Sequence, residues 1–324
     1  MKVPGHFSFL AGEGGSRLTP PPLSAEPSVI PSRKPLDGFS CGSMLVLCAL
    51  WGFQQVAIKS AVAEMSPVFQ VGIRSALAAV LVTLVMIFRR ENLSLRDGTL
   101  RPGLLVGLLF GGEFLAVSMG LNYTTAGHMA VFLYTAPVFT VLGIHWVSHE
   151  ERMNRKQWLG VAVAFAGIVT AFSGSFFAPG GKNLLLGDAL GILGGILWAA
   201  TTLAIRGSRL SETPATKTLR YQLGGAGVML LLYAWLSGKT AATTWTPKLG
   251  ANLVFQTLVV AFASYLYWFW LLRKYLASRL SVFSFLTPIF GITFGVVLLK
   301  EPLDPKFVIG ALLVLVGIGI VNRR

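Results

Sequence analysis

The sequence predicts an all-α integral membrane protein, with ten transmembrane helices arranged as two inverted repeats of five. Three observations carry this. Of 324 residues, 54% are hydrophobic and 12% charged, so polar side chains are too few to coat a water-soluble globule of this length. Apolar runs of about 18 to 23 residues recur along the chain, each long enough to cross a hydrocarbon core of roughly 30 Å as a helix. The chain also repeats itself: a shift of 147 lays Leu50, Trp51, Ala57, Ile58 and Lys59 on Leu197, Trp198, Ala204, Ile205 and Arg206, and Pro67 on Pro214. A shift of 151 lays Val131, Phe132, Pro137 and Phe139 on Val282, Phe283, Pro288 and Phe290. After a one-residue slip, Glu151, Gly160 and Gly167 fall on Glu301, Gly310 and Gly317. With five spans in each copy, an odd number, the second must cross in the opposite sense.

In order along the chain, residues 1–38 come first. Pro20, Pro21 and Pro22 stand in a row there, more prolines follow at 27, 31 and 35, and no apolar core of a signal peptide occurs, so a disordered cytoplasmic tail is expected. The spans are expected at 39–58, 67–88, 103–121, 125–147 and 157–174, which make the first repeat (39–174). Those at 184–205, 215–236, 250–272, 279–299 and 306–321 make the second (184–322). Cys41 and Cys48 lie seven residues apart in the first span, too far for an undistorted bridge, so no disulfide is expected.

The basic residues sort by side. With the tail inside, Lys59, Lys182, Lys239, Lys248, Lys300 and Lys306 fall outside and Arg74 within a span. The other twenty of the 27 Lys and Arg fall on the cytoplasmic side, which places both termini in the cytoplasm. The net charge of +14 is then a topology signal and an attraction to anionic lipid rather than a sign of a nucleic-acid partner.

The stretch from Ala277, Ser278, Arg279 and Leu280 through Ser284, Phe285, Leu286, Thr287, Pro288, Ile289, Phe290 and Gly291 to Lys300 and Glu301 resembles the last-but-one helix of EamA-type proteins in the drug/metabolite transporter superfamily. So do Trp51, Gly52, Ala57, Ile58 and Lys59 in the first span, Arg74 in the second, and Tyr123 to Ala126 before the fourth. The resemblance runs from about Phe39 to Asn322. It implies a carrier in a bacterial inner membrane with a central cavity lined mainly by helices one, three, four, six, eight and nine, moving small metabolites outward. Among its members the chain looks nearest the amino-acid exporters, aromatic ones included. The tail, Glu113, and Gln54 with Gln55 depart from the family pattern.

Glu113 is expected to be the only carboxylate well inside a predicted span. About ten residues into helix three, it lies near ~15 Å depth. An ionised group there costs about 2.5 to 3.5 kcal/mol on insertion scales. It is read as a counter-charge for a substrate amine or a proton relay, against a protonated packing residue. Arg74 could clamp a substrate carboxylate, but the favoured reading is structural, a pairing with Glu113 or with helix-end carbonyls. Gln54 and Gln55 correspond through the repeat to Thr201 and Thr202, polar pairs that could face one cavity from both sides or simply join helices. Pro137 and Pro288 each remove a backbone hydrogen bond in repeat-related spans and mark hinges or fixed kinks.

Tyr265, Tyr267, Trp268 and Trp270 suit an interfacial aromatic belt. Tyr265 and Trp268 share a helix face and could line a pocket, as could Trp51 and Trp198. Lys59 is expected to snorkel to the outer interface, a topological role set against that of a gate, and His128, His145 and His149 are expected to lie near the interfaces. Gly112, Ala116 and Gly120 form a small-residue ridge. No glycine-rich phosphate loop and no metal-ligand spacing occur, so neither cofactor nor metal ion is expected. The expected partners are a small-molecule substrate and membrane lipid, with the chain a monomer or homodimer. A carrier of nucleotide sugars or carboxylates would want several intramembrane basic residues; a drug carrier stays within the same family. A multispan enzyme would want acid and base groups paired at one depth.

Overall fold

The protein is described by a computed structural model covering residues 37–147, 153–177, 181–275, 280 and 283–321. The proline-rich tail before residue 37, His149 and Glu151 lie outside these residues. Among the described residues, helices account for all the elements. Helix α1 (Gly38–Ser60) begins where Asp37 accepts the Ser40 N–H at 2.7 Å and Ser40 Oγ accepts the Asp37 N–H at 2.9 Å, a reciprocal cap. Helix α2 (Pro67–Phe88) starts with proline in its first turn, where the missing N–H costs nothing. Then come α3 (Leu100–Gly120), α4 (Ala126–Leu133), α5 (Ala136–Val147), α6 (Arg155–Phe177), α7 (Gly181–Arg206) and α8 (Ala215–Leu236). A continuous rod follows, made of α9 (Pro247–Val254), a π-helical stretch over Phe255–Ser264, and α10 (Tyr265–Lys274); α11 (Leu286–Leu299) and α12 (Pro305–Val321) complete the chain.

Among the described residues, six helices are long and apolar enough to cross a membrane: Gly38–Ser60, Pro67–Phe88, Leu100–Gly120, Ala126–Trp146, Lys182–Arg206 and Pro247–Leu272. Leu286–Leu299 and Pro305–Val321 are shorter apolar helices. The outward faces suit lipid: Leu77, Val80, Leu84 and Ile87 of α2, and Val228, Leu232 and Trp235 of α8, are all exposed, an apolar stripe that water would not tolerate. Inward faces carry small residues instead. On α6 and α12, Gly167 lies against Gly310 and Gly160 against Gly317; a Cβ on Gly167 would stand 2.6 Å from Val314 N. Backbones meet there because no side chain intervenes.

Two expected spans are interrupted. The span at 125–147 breaks into α4 and α5 at Tyr134 and Thr135, just before Pro137, whose missing N–H leaves the Leu133 carbonyl without its helical donor. A second break, at Ser284 and Phe285, precedes Pro288. The π-helical stretch was not legible at all.

Contacts along the helices give their relative directions. Cys48 meets the Phe283 carbonyl at 3.1 Å and Gly52 meets Gly291, so α1 and α11 run parallel. Gly291 meets Ala130 and Gly295 meets Gly127, so α11 and α4 are antiparallel. Gly187 meets Thr124, Gly191 meets Met129 and Gly195 meets Thr135, so α4 and α7 are parallel. Hence α7 runs opposite to α1. Partners are exchanged likewise: α1 packs on α11 as α7 packs on α4 and α5, while α2 packs on α8 and α6 on α12. The loop between α2 and α3 is latched to the start of α8. Lys217 donates to the Ser94 carbonyl at 2.7 Å and to Asp97, and Thr216 donates to Glu91.

Candidate functional site

Buried polar groups collect at the middle of the bundle. Glu113 on α3 is 4% exposed and its Oε2 has no hydrogen-bond partner. Arg74 on α2 is 2% exposed; its guanidinium lies 4.8 Å over the Phe114 ring, its Nη1 donates to Gln256 Oε1 at 3.5 Å, and its Nε has no partner. The two do not form an ion pair, although they stand within electrostatic reach of each other and of Tyr265. Gln55 Oε1 on α1, Thr257 Oγ1 on the π-helical stretch and Thr287 Oγ1 on α11 are likewise buried without partners. A buried polar atom left unpaired costs about 1 to 3 kcal/mol, so such a gathering marks a place completed by water or ligand.

Behind Arg74 runs an amide ladder that the sequence reading missed. Gln256 donates to Gln70 at 3.2 Å and to Asn252 at 2.7 Å; Gln70 donates to the Met65 carbonyl at 2.8 Å and Asn252 to the Ala57 carbonyl at 2.7 Å. These bonds fix Arg74 by tying α2 and the α9 rod to the end of α1. The signal was present, though weaker than a charge, since an amide inside an apolar run needs a hydrogen-bond partner.

Aromatic rings wall this centre. Trp51 donates its indole N–H to Ser264 Oγ at 3.0 Å and packs edge-on to Trp268 at 5.7 Å, with Tyr265 at 6.4 Å. Trp198 packs edge-on to Tyr134 at 5.2 Å. Tyr134, at the break before Pro137, was not singled out from sequence. Tyr267 instead bonds Ser43 at 2.6 Å, and Trp270 is exposed. Gln54 is buried; Thr201 and Thr202 give their hydroxyl protons to the Leu197 and Trp198 carbonyls of their own helix, at 2.9 and 3.1 Å. Those two threonines are therefore acceptors only.

Three expectations need correcting. Glu113 is not the only carboxylate inside a span: Asp188 on α7 is fully buried, where Thr124 donates to it and His128 Nδ1 lies 3.0 Å away. His128 is accordingly a core residue, 6% exposed and stacked on Phe307 at 3.7 Å, rather than interfacial. Lys59 does not snorkel freely; it donates to the Thr124 carbonyl and stands 3.7 Å from Glu301. In each case a partner distant in sequence, invisible to a local reading, satisfies the group. Among the described residues no group of His, Cys, Asp and Glu is arranged to hold a metal ion.

Exposed apolar stripes on long helices, with polar groups turned inward, define the class as a multispan helical membrane protein. The EamA-like transporter family model matches residues 39–173 and again 185–323. The chain belongs to that family. It is 24% identical to the uncharacterized transporter YoaV of Bacillus subtilis (strain 168), over 83% of this chain and 91% of that one. It is 29% identical to an uncharacterized transporter of Archaeoglobus fulgidus (85% and 95% covered). Against the uncharacterized inner membrane transporter YedA of Escherichia coli (strain K12) the identity is 26% (81% and 84%). A solved crystal structure shares the fold with a TM-score of 0.59 at 17% identity, covering 87% of this chain and 96% of its own.

Proposed function

We propose that this transporter is a secondary carrier that exports small zwitterionic metabolites, amino acids foremost, by alternating access about the central polar group. The observation that carries the reading is the set of unpartnered buried atoms, Gln55 Oε1, Arg74 Nε, Glu113 Oε2 and Thr287 Oγ1, contributed by α1, α2, α3 and α11. Arg74 offers donors to a carboxylate and Glu113 an acceptor to an amine, while Trp51, Trp198, Tyr265 and Trp268 offer ring faces to an apolar side chain. Inverted repetition is supported by the double family match and by the opposed directions of α1 and α7. The sorting of basic residues supports cytoplasmic termini in a plasma membrane. Pro137 and Pro288, each beside a break, are assigned as hinges.

Flux of a panel of labelled amino acids into proteoliposomes, with and without a pH gradient, tests the substrate class. Saturable uptake of one or more amino acids is expected, with those bearing aromatic side chains among them. Uptake of nucleotide sugars or dicarboxylates in their place would overturn the assignment.

A further inference from the structure

The first turn of a helix has N–H groups with no partner inside the helix. In α4 one is satisfied locally, since the His128 N–H donates to Thr125 Oγ1 at 3.0 Å. The Ala126 and Gly127 N–H groups instead donate to the Glu301 carboxylate, at 2.7 and 3.2 Å. Glu301 reaches them because Lys300 adopts a left-handed conformation (φ 57°) that ends α11 and turns the chain back. Its own N–H then donates to the Gly295 carbonyl at 3.2 Å. Gly295 leaves the space that the carboxylate fills, for any Cβ there would collide with Oε2. Lys59, ending α1, donates to the Thr124 carbonyl beside that turn and pairs with Glu301 Oε1 at 3.7 Å. One carboxylate and one ammonium thus tie the ends of α1, α4 and α11, joining both family-matched stretches.

We infer that Lys59 and Glu301 form the gate at this end of the carrier, the contact that opens when the path opens on this side; this rests on the transport reading above. Helices α4 and α11 run antiparallel from the central Tyr134 and Thr287 to this end, and each is broken from the chain on the central side, so each can swing as a piece. A charged cap suits a contact that must break and reform, because water can take over both the N–H groups and the ions on opening. A purely apolar seal has no such substitute.

The test is the distance between spin labels on cysteines replacing Tyr123 and Leu303, both exposed, in a Cys41→Ser, Cys48→Ala background in nanodiscs, read by double electron–electron resonance. Glu301→Ala and Lys59→Gln are expected to raise the ratio of a long-distance to a short-distance population by tenfold or more. Glu301→Gln, which keeps an acceptor but loses the ion pair, should fall between. Lowered thermal stability with an unchanged distance distribution would reduce the contact to a static cap and overturn the gate. Should Glu301→Ala fail to fold, Lys59→Gln, altering a side chain 27% exposed, decides alone. The distances need no substrate, so absence of amino-acid flux overturns the substrate class and leaves the gate, whereas unchanged distances alongside flux overturn the gate alone.

Discussion

At the scale of single residues, Glu113 and Asp97 show how the same carboxylate chemistry serves different ends. Glu113 Oε2 is buried and unpartnered. Glu113→Gln keeps its shape and removes its charge, and initial amino-acid flux is expected to fall about tenfold or more, equivalent to ~1.4 kcal/mol, at unchanged melting temperature. A Gln variant with the wild-type rate and pH profile from pH 5 to 8 would make Glu113 a packing residue. Asp97, in the loop between α2 and α3, is instead fully engaged: the Lys217 ammonium, then the Thr99 hydroxyl, hold its carboxyl well below the usual range. Since folding lowers this pKa from an unfolded value of about 3.9, its contribution is complete above that value and is lost as pH falls through it and below. Melting temperature in detergent should therefore drop below about pH 4, and Lys217→Met should diminish that component of the drop, leaving the part due to Thr99. Charges inside apolar runs, Glu113 and Arg74, were legible because lipid makes them anomalous. The Asp188–His128 pair was not, since its members lie 60 positions apart on separate helices.

At the scale of elements, glycine registers and helix breaks decide the packing. Gly167→Leu would drive a side chain into the backbone of α12, and overpacking of this kind costs about 1 to 3 kcal/mol. A lowered melting temperature is expected, against no change for Val169→Leu, whose parent side chain is exposed. Equal effects of the two would show that α6 and α12 do not meet at Gly167. Prolines announced the two breaks, because a missing N–H is a local fact. The π-helical stretch over Phe255–Ser264 carried no such mark: it has neither proline nor glycine. Its wider turns help orient Gln256 toward α2 and Ser264 toward α1, and that geometry is settled by neighbours.

At the scale of the whole molecule, the proposed topology is exposed to a direct check. Reporter fusions after Arg96 and after Lys182 should read cytoplasm and exterior respectively; the same side for both would dismantle the inverted arrangement. Hydrophobic run length and internal repetition determined from sequence alone that the chain is a helical membrane protein of repeated build. Those are one-dimensional quantities, summed along the chain against a solvent slab. Which polar groups complete one another was decided only by the tertiary structure. Glu301 caps a helix 175 residues away, and Gln256 meets Gln70 across 186. In a medium that offers a polar group no water, its partner is whichever donor or acceptor packing brings near, and sequence distance carries no information about that.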